Sequence, residues 1–490
     1  MGENPFKKLA GQTVVYGLGT ILPRLLNYLL FPLYVRVFVP SVYGQFTELY
    51  AYIALLMALL TYGMETTFFR HAQGDDFKKV YGNIMTMLLT TTSLFVILVF
   101  LIHPSIAHSI GYTGKEVYIL FVGLIVAVDA INAVPFCVLR QQGKAMMFSV
   151  IKLVNVLTNV GLNILFLVVM PETSLRWANQ LFGPEAGLLT WVFVCNLVAC
   201  LVNTVMLLPQ FRQIKLQRDK ALQKKLLRYA IPIMLISLIG MVNEVADKIA
   251  IKYMLPEDVA MEQLGIYGAS YKLAVLMTIF IQMFRFASEP FFFAKAKDRQ
   301  SPDLFADVMT YYVICGLIIF LGVELYIDVF AYFLGGHDEL GQQYRQGLGI
   351  VPIVLIANLF YGIVFNLSIW YKLSDRTSSG TIITAIGATM TLLCLFILVP
   401  RIGYWGAAIA HLACYTVMMV VSYIWGQKVR PIPYRVGRIT IYFLLAMCIY
   451  LLSVHTRPEE QWLMYLRNSC YLIFFISSCF LIERKYKINY

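Results

Sequence analysis

The chain has 490 residues, 59% of them hydrophobic and only 13% charged, with a mean hydropathy of +0.72. A soluble domain carries about twice that share of charge, so the composition excludes a soluble globular enzyme and predicts an all-α polytopic membrane protein. The formal net charge of +12 calls for no nucleic-acid partner, because membrane proteins place such cations in their loops.

A helix crosses the hydrocarbon core with about 20 apolar residues. Fourteen such spans are predicted in chain order, near 12–36, 43–69, 80–103, 116–138, 146–170, 187–209, 229–253, 264–293, 304–325, 349–370, 378–399, 404–426, 437–454 and 464–482. With loops assigned to alternate sides, 26 of the 39 basic residues fall on one side, eight on the other and five inside spans. The positive-inside rule then places both termini in the cytoplasm, and the same cations can touch anionic lipid headgroups. The first span is too long for a cleavable signal peptide and lacks a small-residue cleavage site, so no cleaved leader is expected. The nine cysteines lie in spans without a CxxC pair and read as apolar core residues, with neither disulfides nor a metal site.

The loops are short. The stretch 210–228 carries seven cations and reads as a basic amphipathic interfacial helix, with Phe211, Ile214, Leu222, Leu226 and Leu227 toward lipid. It falls after the sixth span, where a linker between two halves belongs. Self-comparison at an offset of 224 residues supports halves of one design: Tyr43-Gly44 aligns with Tyr267-Gly268, Glu65 with Glu289, Arg24 with Lys248 and Glu48 with Lys272. The expected organisation is an N-lobe at 1–209, the linker at 210–228, a C-lobe at 229–430, and two further helices with a cytoplasmic tail at 431–490. Lobes of parallel orientation suit a transporter that rocks one against the other.

Charges inside a span cost about 2.5–3.5 kcal/mol on insertion scales, so they face a cavity or a partner. Span eight carries Tyr271, Thr278, Gln282, Arg285 and Glu289 on one predicted helical face, with Lys272 beside its outer end. Span seven carries Ser237, Gly240, Glu244 and Asp247-Lys248; span five carries Ser149, Lys152, Asn155, Asn159 and Asn163; span one carries Arg24 and Asn27. One reading is a cationic cavity of Arg24, Lys248, Lys272 and Arg285 that grips a phosphate or diphosphate. Asn27, Glu48, Glu65, Glu244, Asp247, Gln282 and Glu289 would then line or gate it. The other reading cancels charges in place, with Glu244–Lys248 and Arg285–Glu289 paired along their own helices, Lys272 and Lys152 snorkelling, and the asparagines acting as interhelical glue. Asp129, Glu48 and His411 stand isolated in their spans, and Asp129 is the candidate for ion coupling. The sequence holds no HExxH, Walker loop, Gly-x-Ser-x-Gly or paired carboxylates on a soluble loop. No enzyme activity and no cofactor is therefore expected, and transport would run on a gradient or the membrane potential.

Several motifs, in order, resemble one family. They are Phe31-Pro-Leu-Tyr-Val-Arg36 with Tyr43-Gly44, Arg140-Gln-Gln-Gly-Lys144, Arg228-Tyr-Ala-Ile-Pro232, Asp247-Lys248, Leu264-Gly-Ile-Tyr-Gly268 and, most specific, Val399-Pro-Arg-Ile-Gly-Tyr-Trp-Gly-Ala-Ala408. From about residue 10 to about 435 the chain resembles the bacterial polysaccharide (O-antigen type) flippases of the multidrug/oligosaccharidyl-lipid/polysaccharide superfamily, with Lys248 where that family has Arg. The resemblance implies a fold of about fourteen helices, two pseudo-symmetric six-helix MATE-like lobes plus two C-terminal helices. It implies flipping of an oligosaccharide on a polyprenyl diphosphate across the bacterial inner membrane. The implied partners are that lipid-linked substrate and membrane lipids, with a polysaccharide polymerase or glycosyltransferases as companions. A lipid II flippase, a multidrug or cation antiporter, and a membrane polymerase or ligase are the alternatives; the last would show a long outer loop.

Overall fold

A computed structural model describes residues 22–23, 25–72, 76–295, 301–336, 338–374, 376–456, 458 and 460–488, without the side chains at 286–287, 289–291, 293–295, 301, 377 and 486–488. Among the described residues every regular element is a helix. In a bilayer this is the expected outcome, since a helix satisfies all its backbone donors and acceptors within one segment. Twelve helices are long and apolar enough to cross a membrane, or 13 with one bent pair; the first predicted span is represented by the shorter Leu25–Val37. Twelve or 13 of the fourteen expected spans are thus present among the described residues.

The chain forms two compact units, one of residues 1–37 with 45–245 and the other of 38–44 with 246–490. The first holds α1 (Leu30–Val37), most of α2 (Pro40–Thr61), α3 (Met64–His71), α4 (Phe77–Ser109), α5 (Glu116–Gln141), α6 (Ala145–Ile164), α7 (Pro171–Phe182), α8 (Leu189–Met206), α9 (Leu208–Phe211) and the start of α10 (Lys220–Met254). Its core gathers Met64, Phe68, Tyr81, Leu88, Val134 and Ala230. Lipid-facing character shows in α4, where Leu94, Ile97, Leu98 and Leu101 form an exposed apolar stripe at helical spacing.

Two corrections belong to this unit. The stretch 210–228 is not one interfacial helix: α9 ends at Phe211, 214–219 has no regular structure, and Lys220 begins α10. Phe211, Ile214, Leu222, Leu226 and Leu227 pack on the protein core instead of lipid, because folding gives these side chains a protein surface to bury against. Further, α7 is a short helix where the sequence reading has only a connection. Pro171 opens it, Gly183 follows it, and the Trp191 indole donates to the Ser174 carbonyl at 2.7 Å.

The second unit holds the rest of α10, then α11 (Glu257–Leu273), α12 (Val275–Lys295), α13 (Ser301–Leu325), α14 (Ile327–Ala331), α15 (Glu339–Arg345), α16 (Val351–Leu367), α17 (Ile369–Leu373), α18 (Thr377–Ile402), α19 (Tyr404–Val429), α20 (Val436–His455) and α21 (Gln461–Ile488). Residues 38–44 belong here: Tyr344 donates to the Phe38 carbonyl at 2.7 Å and its ring meets Tyr43 edge-on. The turn between α18 and α19 falls on Gly403 at φ 58°, a conformation that glycine adopts without steric cost. Predicted span eight is not one straight helix, since α11 and α12 meet at Ala274 with a 50° bend. There the Ala274 N–H bonds to the Tyr271 carbonyl at 3.2 Å, a tighter closure than the α-helical one. The proposed single face from Tyr271 to Glu289 is therefore divided between two helices.

Candidate functional site

A polar cluster of the second unit begins at Asp247 on α10, which is only 2% exposed. Its carboxylate accepts from the Tyr267 hydroxyl (2.5 Å), the Lys248 backbone N–H (2.8 Å) and the Lys248 ammonium (3.0 and 3.3 Å). A buried carboxylate needs such compensation, because desolvating a lone charge costs several kcal/mol. Lys248 thus pairs with its sequence neighbour, and its ammonium also lies 5.1 Å from the Tyr271 ring centroid. The Tyr271 hydroxyl meets Nε2 of His411 at 3.1 Å. His411, isolated in its own span by sequence, sits 2% exposed against Tyr271 and Tyr415. No periodicity joins these residues, which come from α10, α11 and α19.

Lys272, next to Tyr271 on α11, is exposed and feels the positive charge of Lys248. Arg285 on α12 is exposed, with its guanidinium 5.2 Å from the Phe365 ring centroid; Lys372 on α17 sits 4.7 Å from the same ring. Gln282, one turn before Arg285, is half-buried. Of the four candidate cations, the second unit therefore holds three: one neutralised by a carboxylate and two exposed. Arg24 lies outside the described residues, as does the side chain of Glu289.

The remaining candidates lie in the first unit. Glu48 is fully buried and accepts from the Tyr112 hydroxyl at 2.7 Å. Tyr112 sits in the connection between α4 and α5, where burial first, and then the Glu48 carboxylate, hold its hydroxyl well above the usual tyrosine range. It stays protonated and remains the donor. Glu65 is exposed, with the Cys137 thiol 3.8 Å away and the charges of Arg140 and Lys152 within reach. Asp129 is half-buried beside Cys200 and Tyr50. Asn27 accepts from Asn159 at 3.3 Å; Asn159 also accepts from Asn163, which takes a bond from Tyr34 at 3.1 Å. This ties the polar face of α6 to the first helix and favours the glue reading. Glu244 is exposed on α10.

The model of the family described as "Polysaccharide biosynthesis protein" matches residues 9–296, more than half of the chain. The chain belongs to this family. None of the curated proteins matches it. Among solved structures, the lipid II flippase MurJ in an inward-closed conformation is similar at a TM-score of 0.74 and 12% identity, over 96% of this chain and 99% of that one. An inward-facing multidrug-resistance MATE transporter of the MOP superfamily gives a TM-score of 0.63 and 15% identity, over 85% and 94%. A mutant of the Vibrio cholerae MATE transporter VcmN gives 0.53 and 14%, over 86% and 96%. The fold of this family member is therefore of the flippase and multidrug-transporter type, as its motifs imply.

Proposed function

We propose that this chain is a flippase that carries an oligosaccharide on a polyprenyl diphosphate from the cytoplasmic to the outer leaflet of a bacterial inner membrane by alternating access, for O-antigen or related surface polysaccharide export. The observation that carries the reading is a polysaccharide-biosynthesis family realised almost wholly in membrane-length helices. Such a protein acts on sugars in the form that a membrane holds, which is lipid-linked. Two features of the second unit support it. Lys248, Lys272 and Arg285 supply cations for a diphosphate, with Arg24 as the sequence candidate in the first span; the guanidinium offers a forked grip and the ammonium a point charge. An apolar cavity of about 290 Å³, lined by Val313, Phe360, Ile363, Met419 and Phe443 among others, fits a prenyl segment. In this reading both termini are cytoplasmic, the chain catalyses no covalent step, and a polymerase or glycosyltransferases work beside it.

The greater similarity of fold to a lipid II flippase than to the multidrug transporters favours a second reading, in which the headgroup is the cell-wall precursor. The test is translocation of a short fluorescent polyprenyl-diphosphate oligosaccharide in proteoliposomes, against lipid II as competitor substrate. Wild type should transport the oligosaccharide, and Lys272→Ala and Arg24→Ala should lower the rate at least tenfold while remaining folded. Preference for lipid II would establish the second reading. No transport of either lipid under an imposed ion gradient would overturn both.

A further inference from the structure

The cluster around Asp247 holds an imidazole that the Asp247–Lys248 ion pair does not need for its charge balance. Asp247 and Lys248 cancel each other at 3.0 Å. His411 lies close enough to feel both charges, yet it forms no ion pair among the described residues and is almost wholly buried. The groups that face it are Asp247 and Lys248 from α10, Tyr271 from α11 and Tyr415 one turn along its own helix. Tyr361 of α16 stacks behind Tyr415, Tyr267 of α11 lies beyond at Asp247, and Cys394 of α18 faces Cys414, one turn from His411.

On the diphosphate reading Lys248 has two roles of opposite consequence. Its ammonium can neutralise Asp247 or grip an anionic headgroup, but a point charge does not serve both fully. When it turns to a phosphate, Asp247 keeps the Tyr267 hydroxyl and loses its counter-charge. A buried carboxylate left so is costly, and the His411 imidazole, which feels that carboxylate's charge, is a group able to gain a positive charge.

We propose that His411 is the proton-binding site of this transporter, taking up one proton when Lys248 leaves Asp247 for the headgroup of an anionic lipid. The inference rests on the diphosphate reading above and adds its coupling. One N–H bond forms on the imidazole with a proton from water, and nothing is oxidised or reduced. The imidazolium donates from both nitrogens, so the Tyr271 hydroxyl at Nε2 becomes an acceptor. Charge in the cluster is conserved, with His411 replacing Lys248 as the cation for Asp247. By linkage, headgroup binding then tightens as pH falls, by at most about tenfold per pH unit over the window of uptake.

The experiment is calorimetric titration of the full chain in detergent with geranylgeranyl diphosphate, repeated in buffers of different ionisation enthalpy to count protons. Wild type should bind with uptake approaching one proton and with an affinity that rises toward low pH. His411→Gln should still bind, with uptake near zero and a flat pH profile. Should that variant not fold, the wild-type proton count decides alone. Binding by wild type without uptake, or uptake unchanged in His411→Gln, overturns the inference and leaves the diphosphate reading standing. No binding by folded wild type overturns the diphosphate reading, and this inference with it.

Discussion

Replacing Gly265 by alanine sets two known effects against each other, and the geometry decides between them. In a helix interior alanine is favoured over glycine by about 0.5–1 kcal/mol, since it has less backbone entropy to lose. At 265, however, a Cβ would fall 1.8 Å from the Pro40 carbonyl oxygen, 2.6 Å from its carbon and 3.0 Å from the Pro40 Cα. Ordinary contact starts near 3.4 Å, so the oxygen would have to retreat by about 1.6 Å, where close-packed interiors yield only tenths. No rotamer relieves the clash, because every one of these atoms is backbone. One turn along, Gly44 makes the reciprocal approach, with its Cβ position 2.1 Å from the Met261 carbonyl oxygen. Overpacking of this kind costs about 1–3 kcal/mol, and an overlap this deep against backbone belongs at the upper end, so Gly265→Ala should lose about 2 kcal/mol net. Gly322→Ala is the control: it lies inside α13 with nothing within 4 Å of its Cβ position, and should be neutral or gain up to about 1 kcal/mol. Unfolding in mixed dodecyl maltoside and dodecyl sulfate micelles, followed by circular dichroism, reads both. Equal stability of the two variants would refute the close crossing of residues 38–44 with α11.

Two further perturbations test single contacts. Asp219 lies outside the spans, capping the start of α10; the Lys79 ammonium, hydrogen-bonded at 2.8 Å, and then the Leu222 N–H hold its carboxyl below the usual aspartate range. A depressed folded value stabilises above the unfolded one and is lost as pH falls through it. Wild type should therefore weaken as pH drops below about 4, and Asp219→Asn should show a smaller acid-dependent loss in the same unfolding assay; an unchanged acid limb would remove the cap from the account. Asn163→Ala deletes the bonds to Tyr34 and Asn159 and should cost about 0.6 kcal/mol, with about 1.7 as a ceiling for an interhelical polar contact. Unchanged stability with lost transport would instead make the asparagine face a substrate track.

Helix positions were legible because a span of about 20 apolar residues is a strong signal in a single segment. The bend at Ala274 was not, since Tyr271-Lys-Leu-Ala-Val275 contains neither proline nor glycine, the residues that mark a kink in a sequence. The α7 helix did have a signal, in Pro171 at its start and Gly183 after its end, but its 12 residues are too few for a hydropathy reading. Isolation read along one helix proved a poor guide to isolation in space. Glu48 finds Tyr112 at a separation of 64 residues and His411 finds Tyr271 at 140, distances over which no periodicity speaks.

The same limit bears on the cations. By sequence, Lys248 and Arg285 each have an acid one turn away, Glu244 and Glu289, and Lys272 has none at that spacing. The fold separates them by what each ammonium or guanidinium already touches. Lys248 leans on a carboxylate that is 2% exposed, Arg285 lies over Phe365, and Lys272 is exposed beside a like charge. Two ammonium groups held near each other gain from an anion that either alone would bind more weakly, because one ligand relieves their repulsion as well as pairing with each. In the proposed reading the Asp247 carboxylate sets the cost of that gain, because the Lys248 ammonium already pairs with it at 3.0 Å. If the diphosphate reading proposed above holds, Asp247→Asn frees Lys248 from its carboxylate and should tighten binding of geranylgeranyl diphosphate in the calorimetric titration; an unchanged affinity would refute that cost.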